Sequence, residues 1–346
     1  MSPSRPSRAL ISLVAVAILA MAPASASAAP FNGGGLTASA LVFFPNPVVT
    51  SGNLALTDEK DADYPALNNE RVTVLLTNLD GSGYLCGAWA CVTNSTKSGA
   101  FETDGTYFYT RHDERFEQVM AYYWITQSQL YLQSLGFGAG GPYRGINDNS
   151  QSVRIDQWGV DNSFASDAPK DQMVLGKGGV DDAEDAEVII HEYGHQIHFS
   201  QSPTFYTSLE SGSIGEGFAD YWAATVTAVV SGPQPDPACI AEWDSVSYTA
   251  GPVHCLRRLD ANLHYPDDLN GRVHHDGTIW SQALWQIRGS LGNVKADTLI
   301  LNAQFDWTGT TMVELANRTV ASAQSLYGNG AALKVRQAFQ ARGILP

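Results

Sequence analysis

Residues 191–195 read His-Glu-Tyr-Gly-His, with Val188, Ile189 and Ile190 before them and Ile197 after. No other stretch restricts the fold so strongly. On a helix, positions i and i+4 lie one above the other, so His191 and His195 present two imidazoles to one point. The apolar neighbours give that helix a buried side. Both rings can reach a single tetrahedral ion. Glu192, turned aside from His191, can serve as a general base next to it.

A second run, Gly215-Glu216-Gly217-Phe218-Ala219-Asp220, opens another apolar helix that continues through Tyr221-Trp222-Ala223. Glu216 and Asp220 are again i and i+4. Glu216 completes a His2Glu ligand set that leaves a fourth position open. Asp220 can accept the free ring N–H of a ligand histidine and fix its tautomer. One zinc ion per chain is expected on His191, His195 and Glu216. Read alone, the segment is an exposed helix start with two carboxylates; behind H-E-x-x-H, the ligand reading takes precedence.

Upstream, Asp181 or Asp182 is expected to cap the first helix, with Glu184, Asp185 and Glu187 complementing the positive end of its dipole. A Ca2+ site is a second reading of this acidic run, without a clear motif behind it.

The remainder divides by period. Residues 36–110 carry short apolar runs, Leu41-Val42-Phe43-Phe44 and Val72-Thr73-Val74-Leu75-Leu76, and a turn at Asp80-Gly81-Ser82-Gly83. Over 112–135, Phe116, Met120, Tyr123, Trp124, Gln127 and Leu130 recur at helical spacing up to Gly136. This aromatic stripe reads as core. Strands are expected near Ser152–Gln157 and Gln172–Gly176, and mostly helix from Asp181 onward. The expected class is α+β: a β-containing N-terminal half with one long helix (29–180), a helical C-terminal half (181–346), and the site between them.

Arg5 and Arg8, an apolar stretch from Ala9 to Ala22 and the small residues Ala26-Ser27-Ala28 fit a signal peptide over 1–28. Secretion is therefore expected, with no membrane anchor. Cys86, Cys91, Cys239 and Cys255 allow three pairings, of which the local Cys86–Cys91 and Cys239–Cys255 are the simplest. A zinc site on these four lacks the C-x2-C spacing. Hydrophobic residues make up 44% and charged residues 16%, a balance that excludes disorder. The net charge of -15 disfavours nucleic acid as a partner. A monomer is expected.

Taken together, Val180-Asp181-Asp182-Ala183-Glu184-Asp185 leading into HEYGH, then GEGFADYW, then Val273-His274-His275-Asp276-Gly277-Thr278-Ile279-Trp280 with Leu284-Trp285 resemble the gluzincin, or thermolysin-like, zinc metallopeptidases, most of all their fungalysin-type branch. The resemblance covers roughly residues 180–288. It implies a thermolysin-like zincin fold. It also implies that His274 is a catalytic histidine facing the oxyanion, with His275 as runner-up. Asp267 or Asp268 would orient the imidazole, with Arg258 nearby. Residues 170–179 would be an edge strand that pairs with the substrate backbone, an ordinary strand being an equal reading. Metzincins are excluded because His198 and Gln201 stand where their Gly and third His fall. The G-x-M-E-N element of the aminopeptidases is absent from the sequence, which favours an endopeptidase acting on proteins or peptides. Many relatives carry a long propeptide for which this chain leaves no room, so activation stays open. His198 is expected to pack or to support the site, and His112, His254 and His264 to be structural. Two other functions compete: a non-catalytic exported binding module, and a zinc hydrolase of another amide bond.

Overall fold

A computed structural model describes residues 34–346 apart from 95–97, 139, 156–158, 169–171 and 250–253. The proposed leader at 1–28 lies outside the described residues.

The N-terminal half begins with β1 (Leu36–Phe43), two short helices, α1 (Pro47–Ser51) and α2 (Pro65–Asn68), and β2 (Arg71–Leu79). Then come β3 (Ala90–Asn94), β4 (Thr106–Tyr107) and the long α3 (Arg115–Ser134). β1 lies between β2, antiparallel to it, and β4, parallel to it. The apolar runs at 41–44 and 72–76 fall on β1 and β2, with Ala40 opposite Val74. Gly81 and Gly83 adopt positive φ in the turn expected at 80–83. The Cys86–Cys91 disulfide closes the next turn.

A second sheet follows, from β5 (Gln151–Ile155), β6 (Phe164–Ser166) and β7 (Gln172–Val174), in the order β3-β5-β7-β6. Burial alternates along β5, with Gln151, Val153 and Ile155 inside, as the pleat requires. β3, β5 and β7 run parallel, and β6 is added antiparallel to β7.

The C-terminal half holds α4 (Ala186–Gln201), α5 (Leu209–Ser231), the small hairpin β8 (Cys239–Ile240) with β9 (Arg257–Arg258), and helices α6 (Val273–Leu291), α7 (Asn293–Gln304), α8 (Met312–Tyr327) and α9 (Asn329–Ala341). The Cys239–Cys255 disulfide staples the hairpin. The architecture is α+β, strands first and helices after. Among the described residues no helix is long and apolar enough to cross a membrane.

α3 is the axle between the halves. Phe116 to Gln129 are all buried, so both polar and apolar faces need partners. Phe116 meets Phe43 edge-on at 4.9 Å, and Tyr131 stacks on Trp222 at 5.5 Å. Trp124 Nε1 donates to the Phe43 carbonyl at 3.3 Å, and Trp222 Nε1 to Ser128 Oγ at 2.8 Å. Tyr131 and Tyr221 both donate to buried Asp297, which ties α3, α5 and α7 together.

The acidic run before α4 departs from expectation. Neither Asp181 nor Asp182 is the cap: α4 starts at Ala186, and Asp185 accepts from Glu187 N at 3.0 Å. A 3-10 turn over Asp182–Glu184 intervenes. Asp185 is the cap and Glu187 lies in the first turn of α4, while Glu184 precedes the helix. Glu184 is fully buried against Arg111, at 2.8 Å, and accepts from Trp243 Nε1 at 3.0 Å. Glu187 accepts from Ala241 N at 2.7 Å and from Thr227 at 2.9 Å. These carboxylates are cross-ties between distant segments, a role that no local spacing announces.

Glycines let three helices touch. A Cβ on Gly194 of α4 would sit 2.8 Å from the Ala219 backbone of α5. One on Gly217 of α5 would sit 2.2 Å from the Gly277 carbonyl of α6. Gly217→Ala therefore forces α5 from α6 and should cost about 1–3 kcal/mol, read from urea unfolding. Gly289, in the same helix α6, has open space around it. Gly289→Ala should be neutral or stabilise by up to about 1 kcal/mol through helix propensity. Equal effects of the two substitutions would show that the seam is not tight.

Candidate active site

The seam sets one helical motif against the next. α4 brings His191, Glu192 and His195, α5 brings Glu216 and Asp220, and α6 starts at Val273-His274. His191 Nε2 lies 3.1 Å and His195 Nε2 3.7 Å from Glu216 Oε2. One ligand atom from each of these three residues falls within 4.8 Å of the others. Two imidazoles and a carboxylate, converging at that spacing, form a donor set suited to zinc.

Each imidazole is held through its other nitrogen. His191 Nδ1 donates to Asp220 Oδ1 at 2.8 Å. Asp220 in turn accepts two bonds from Arg257, at 2.6 and 2.7 Å. His195 Nδ1 pairs with the Tyr206 hydroxyl at 2.7 Å, and that hydroxyl also meets His198 Nδ1 at 3.1 Å. These contacts turn both Nε2 atoms toward Glu216.

The electrostatics follow. Burial raises the Asp220 carboxyl, but Arg257 and His191 outweigh it and bring the pKa down to about 2. Burial opposes protonation of His191; the carboxylates of Asp220 and Glu216 overcome this and push it up to about 10. His195 goes down to about 4, mainly through burial. Burial also raises Glu192 to about 7, and its Oε2 has no hydrogen-bond partner. A cation between the histidines and Glu216 needs both Nε2 atoms unprotonated, so metal and proton compete for them.

The four groups His191, Glu192, His195 and Glu216 open on a cavity of about 330 Å³, which His274, Arg257 and Tyr206 also line. His274 Nε2 lies 3.2 Å from Glu216 Oε2. His275 is turned to Asp276 at 3.2 Å and is not among the lining residues.

Several sequence expectations fail at this point. Neither Asp267 nor Asp268 is hydrogen-bonded to His274 among the described residues. Asp268 instead accepts from His264 N at 2.7 Å and closes a turn. Asp276 takes the organising role before α6, accepting from Asn270 N and Gly271 N at 2.8 and 3.0 Å. Arg258 faces away and pairs with Asp236 and Asp260. Strands alternate sides, so its neighbour Arg257 is the inward one. The edge strand is β6, not the 170–179 segment, because β7 is covered on both sides by β5 and β6. Phe164 and Ala165 of β6 line the cavity, and Gln196 Nε2 ties β6 and β7 to α4 through the Ser166 and Gln172 carbonyls at 3.2 and 2.8 Å.

His198 is fully buried and stacked on Phe205 at 3.8 Å. His112, His254 and His264 contact Asp61, Thr249 and Asp268 and do not line the cavity. Arg257 and Tyr206 escaped the sequence reading. Tyr206 lies in the α4–α5 connection and Arg257 in the two-residue strand β9, neither long enough to show periodicity.

Comparison with known proteins fits this geometry. The family model described as Fungalysin metallopeptidase (M36) matches residues 91–338. Extracellular metalloproteinase 4 of Trichophyton tonsurans is 28% identical over 117 residues, 31% of this chain and 18% of the relative. The protein of that name from Trichophyton soudanense is 25% identical over 172 residues, 44% of this chain and 42% of the relative. The matched stretches thus span less than half of these relatives' own length. Among solved structures, the precursor of protealysin, a metalloproteinase from Serratia proteamaculans, superposes with a TM-score of 0.51 at 16% identity, covering 73% of this chain and 86% of that one; this likeness concerns the fold. With the family model matched over most of its length, the chain belongs to the fungalysin metallopeptidase family.

Proposed function

We propose that the protein is an exported zinc endopeptidase. The observation that carries this reading is the convergence of His191 Nε2, His195 Nε2 and Glu216 on one point, with Glu192, whose Oε2 has no hydrogen-bond partner, lining the same cavity. Family membership supports peptide hydrolysis, and the relatives' description as extracellular supports export.

His191, His195 and Glu216 would hold the ion. Zinc in that position would supply a Lewis acid for the scissile carbonyl and lower the pKa of an attacking water. Glu192 then takes a proton from the attacking water and hands it to the leaving amine. His274 donates an N–H to the oxyanion as charge develops. Arg257 and Asp220 act through His191 and are positioning residues. β6 offers an edge for backbone pairing with an extended substrate, which would confer broad sequence tolerance.

His195→Ala should abolish stoichiometric zinc in elemental analysis. Glu192→Gln should keep zinc and fold but lower peptide turnover by about 100- to 10,000-fold, the range general-base catalysis supplies. Unchanged zinc in the first variant would remove the ligand assignment, and near-normal turnover in the second would remove the base.

His274→Ala should retain zinc and lose roughly 100- to 1000-fold, mostly in kcat, because the bond to the oxyanion forms only as charge appears. His275→Ala should be much milder, since that ring is engaged with Asp276. A larger loss at His275 would overturn the assignment.

A further inference from the structure

The two proposed ligand histidines are backed unequally. Behind His191 stand charged groups, Asp220 and then Arg257. Behind His195 stand a phenol, a second imidazole and a carboxamide. His195 Nδ1 lies 2.7 Å from the Tyr206 hydroxyl, which lies 3.1 Å from His198 Nδ1. His198 and Gln304 are both fully buried. His198 Nε2 and both ends of the Gln304 carboxamide have no hydrogen-bond partner, and Gln304 is close enough to act on the ring.

α5 makes the space for this row. A Cβ on Gly215 would sit 2.3 Å from the Tyr206 ring, so no side chain at 215 can coexist with the phenol. Tyr206 thereby takes the place beside His195. The next member is fixed by its neighbours: His198 stacks on Phe205 at 3.8 Å and lies tilted against Phe218 at 4.5 Å.

Counting hydrogens gives the row a direction. For Nε2 of His195 to ligate a metal, the ring hydrogen must be on Nδ1. Tyr206 Oη then accepts from His195, and the phenol has one hydrogen of its own to give. That hydrogen goes to His198 Nδ1, which must be bare. The His198 hydrogen is then on Nε2, with the Gln304 carbonyl as its acceptor. Without an acceptor at His198, the phenol would turn and donate to His195 Nδ1. The His195 hydrogen would then be driven onto Nε2, the ligand atom.

We propose that His198 and Tyr206 are positioning residues for His195: His198 accepts the phenol's hydrogen, which makes Tyr206 an acceptor and keeps His195 Nε2 bare for the metal. The assignment rests on the zinc reading above.

The test measures zinc affinity by chelator competition and peptide turnover at saturating zinc, with the fold followed by thermal melting. Tyr206→Phe should raise the zinc dissociation constant about 10- to 100-fold, the usual cost of losing the partner of a ligand histidine. His198→Phe keeps the stacking and removes the acceptor, and should weaken zinc to a similar degree. His198→Asn keeps an acceptor oxygen near the Nδ1 position and gives up the stacking. It should hold zinc more tightly than His198→Phe, even where it melts lower. Equal affinities in the two, or the reverse order, would reduce His198 to packing and overturn the proposal. Tyr206 also lines the cavity. A fall in kcat for Tyr206→Phe with zinc affinity unchanged would give its hydroxyl to the substrate, and this too overturns the proposal. The wild type supplies a check free of substitution: nitrogen NMR on labelled imidazoles of the zinc-loaded protein should find His198 protonated at Nε2 and bare at Nδ1. The opposite tautomer overturns the direction of the row. A wild type that holds zinc but cuts no peptide would defeat the peptidase reading and leave this assignment standing, since affinity and tautomer need no turnover. A wild type that holds no metal ion would defeat both.

Discussion

The close approach of α4, α5 and α6 is the constraint on which the rest depends. Helices with ordinary side chains between them pack 8–10 Å apart. Gly194 against Ala219, and Gly217 against Gly277, remove the side chains that would hold the helices apart. The glycines inside HEYGH and GEGF are thus part of the site, though they carry no chemistry. Each costs helix propensity, up to about 1 kcal/mol relative to Ala. The offset is a donor set mounted on two rigid helices, with His274 brought up by a third, which is more precise than one built on loops.

The buried polar groups around the site show the same economy. Glu184 is compensated by Arg111 and by Trp243, and Asp297 by two tyrosines. His191, Asp220 and Arg257 form a chain in which each charge is satisfied by the next. Breaking one member would strand the others in a low-dielectric setting, at a cost of about 3–5 kcal/mol for a buried pair. These networks hold helix to helix across long sequence separations, so they fix orientation where apolar packing alone would permit sliding.

How much of this the sequence revealed follows from the range of each interaction. HEYGH, GEGFAD and the apolar stripe of α3 were readable because their meaning lies within one helix, at i and i+4. The turn at 80–83 was readable because glycine at positive φ is a local demand. Both disulfides join the nearest available partners. What stayed hidden was relational. Asp181 and Asp182 resembled caps because acids precede many helices, yet a 3-10 turn moves the start to Asp185. Arg257 and Arg258 are indistinguishable in sequence, and the two faces of β9 separate them. The edge role passed from 170–179 to β6 because strand order in a sheet is not written in any single strand. Tyr206 lies between two motifs, and only the fold of that loop brings it to His195.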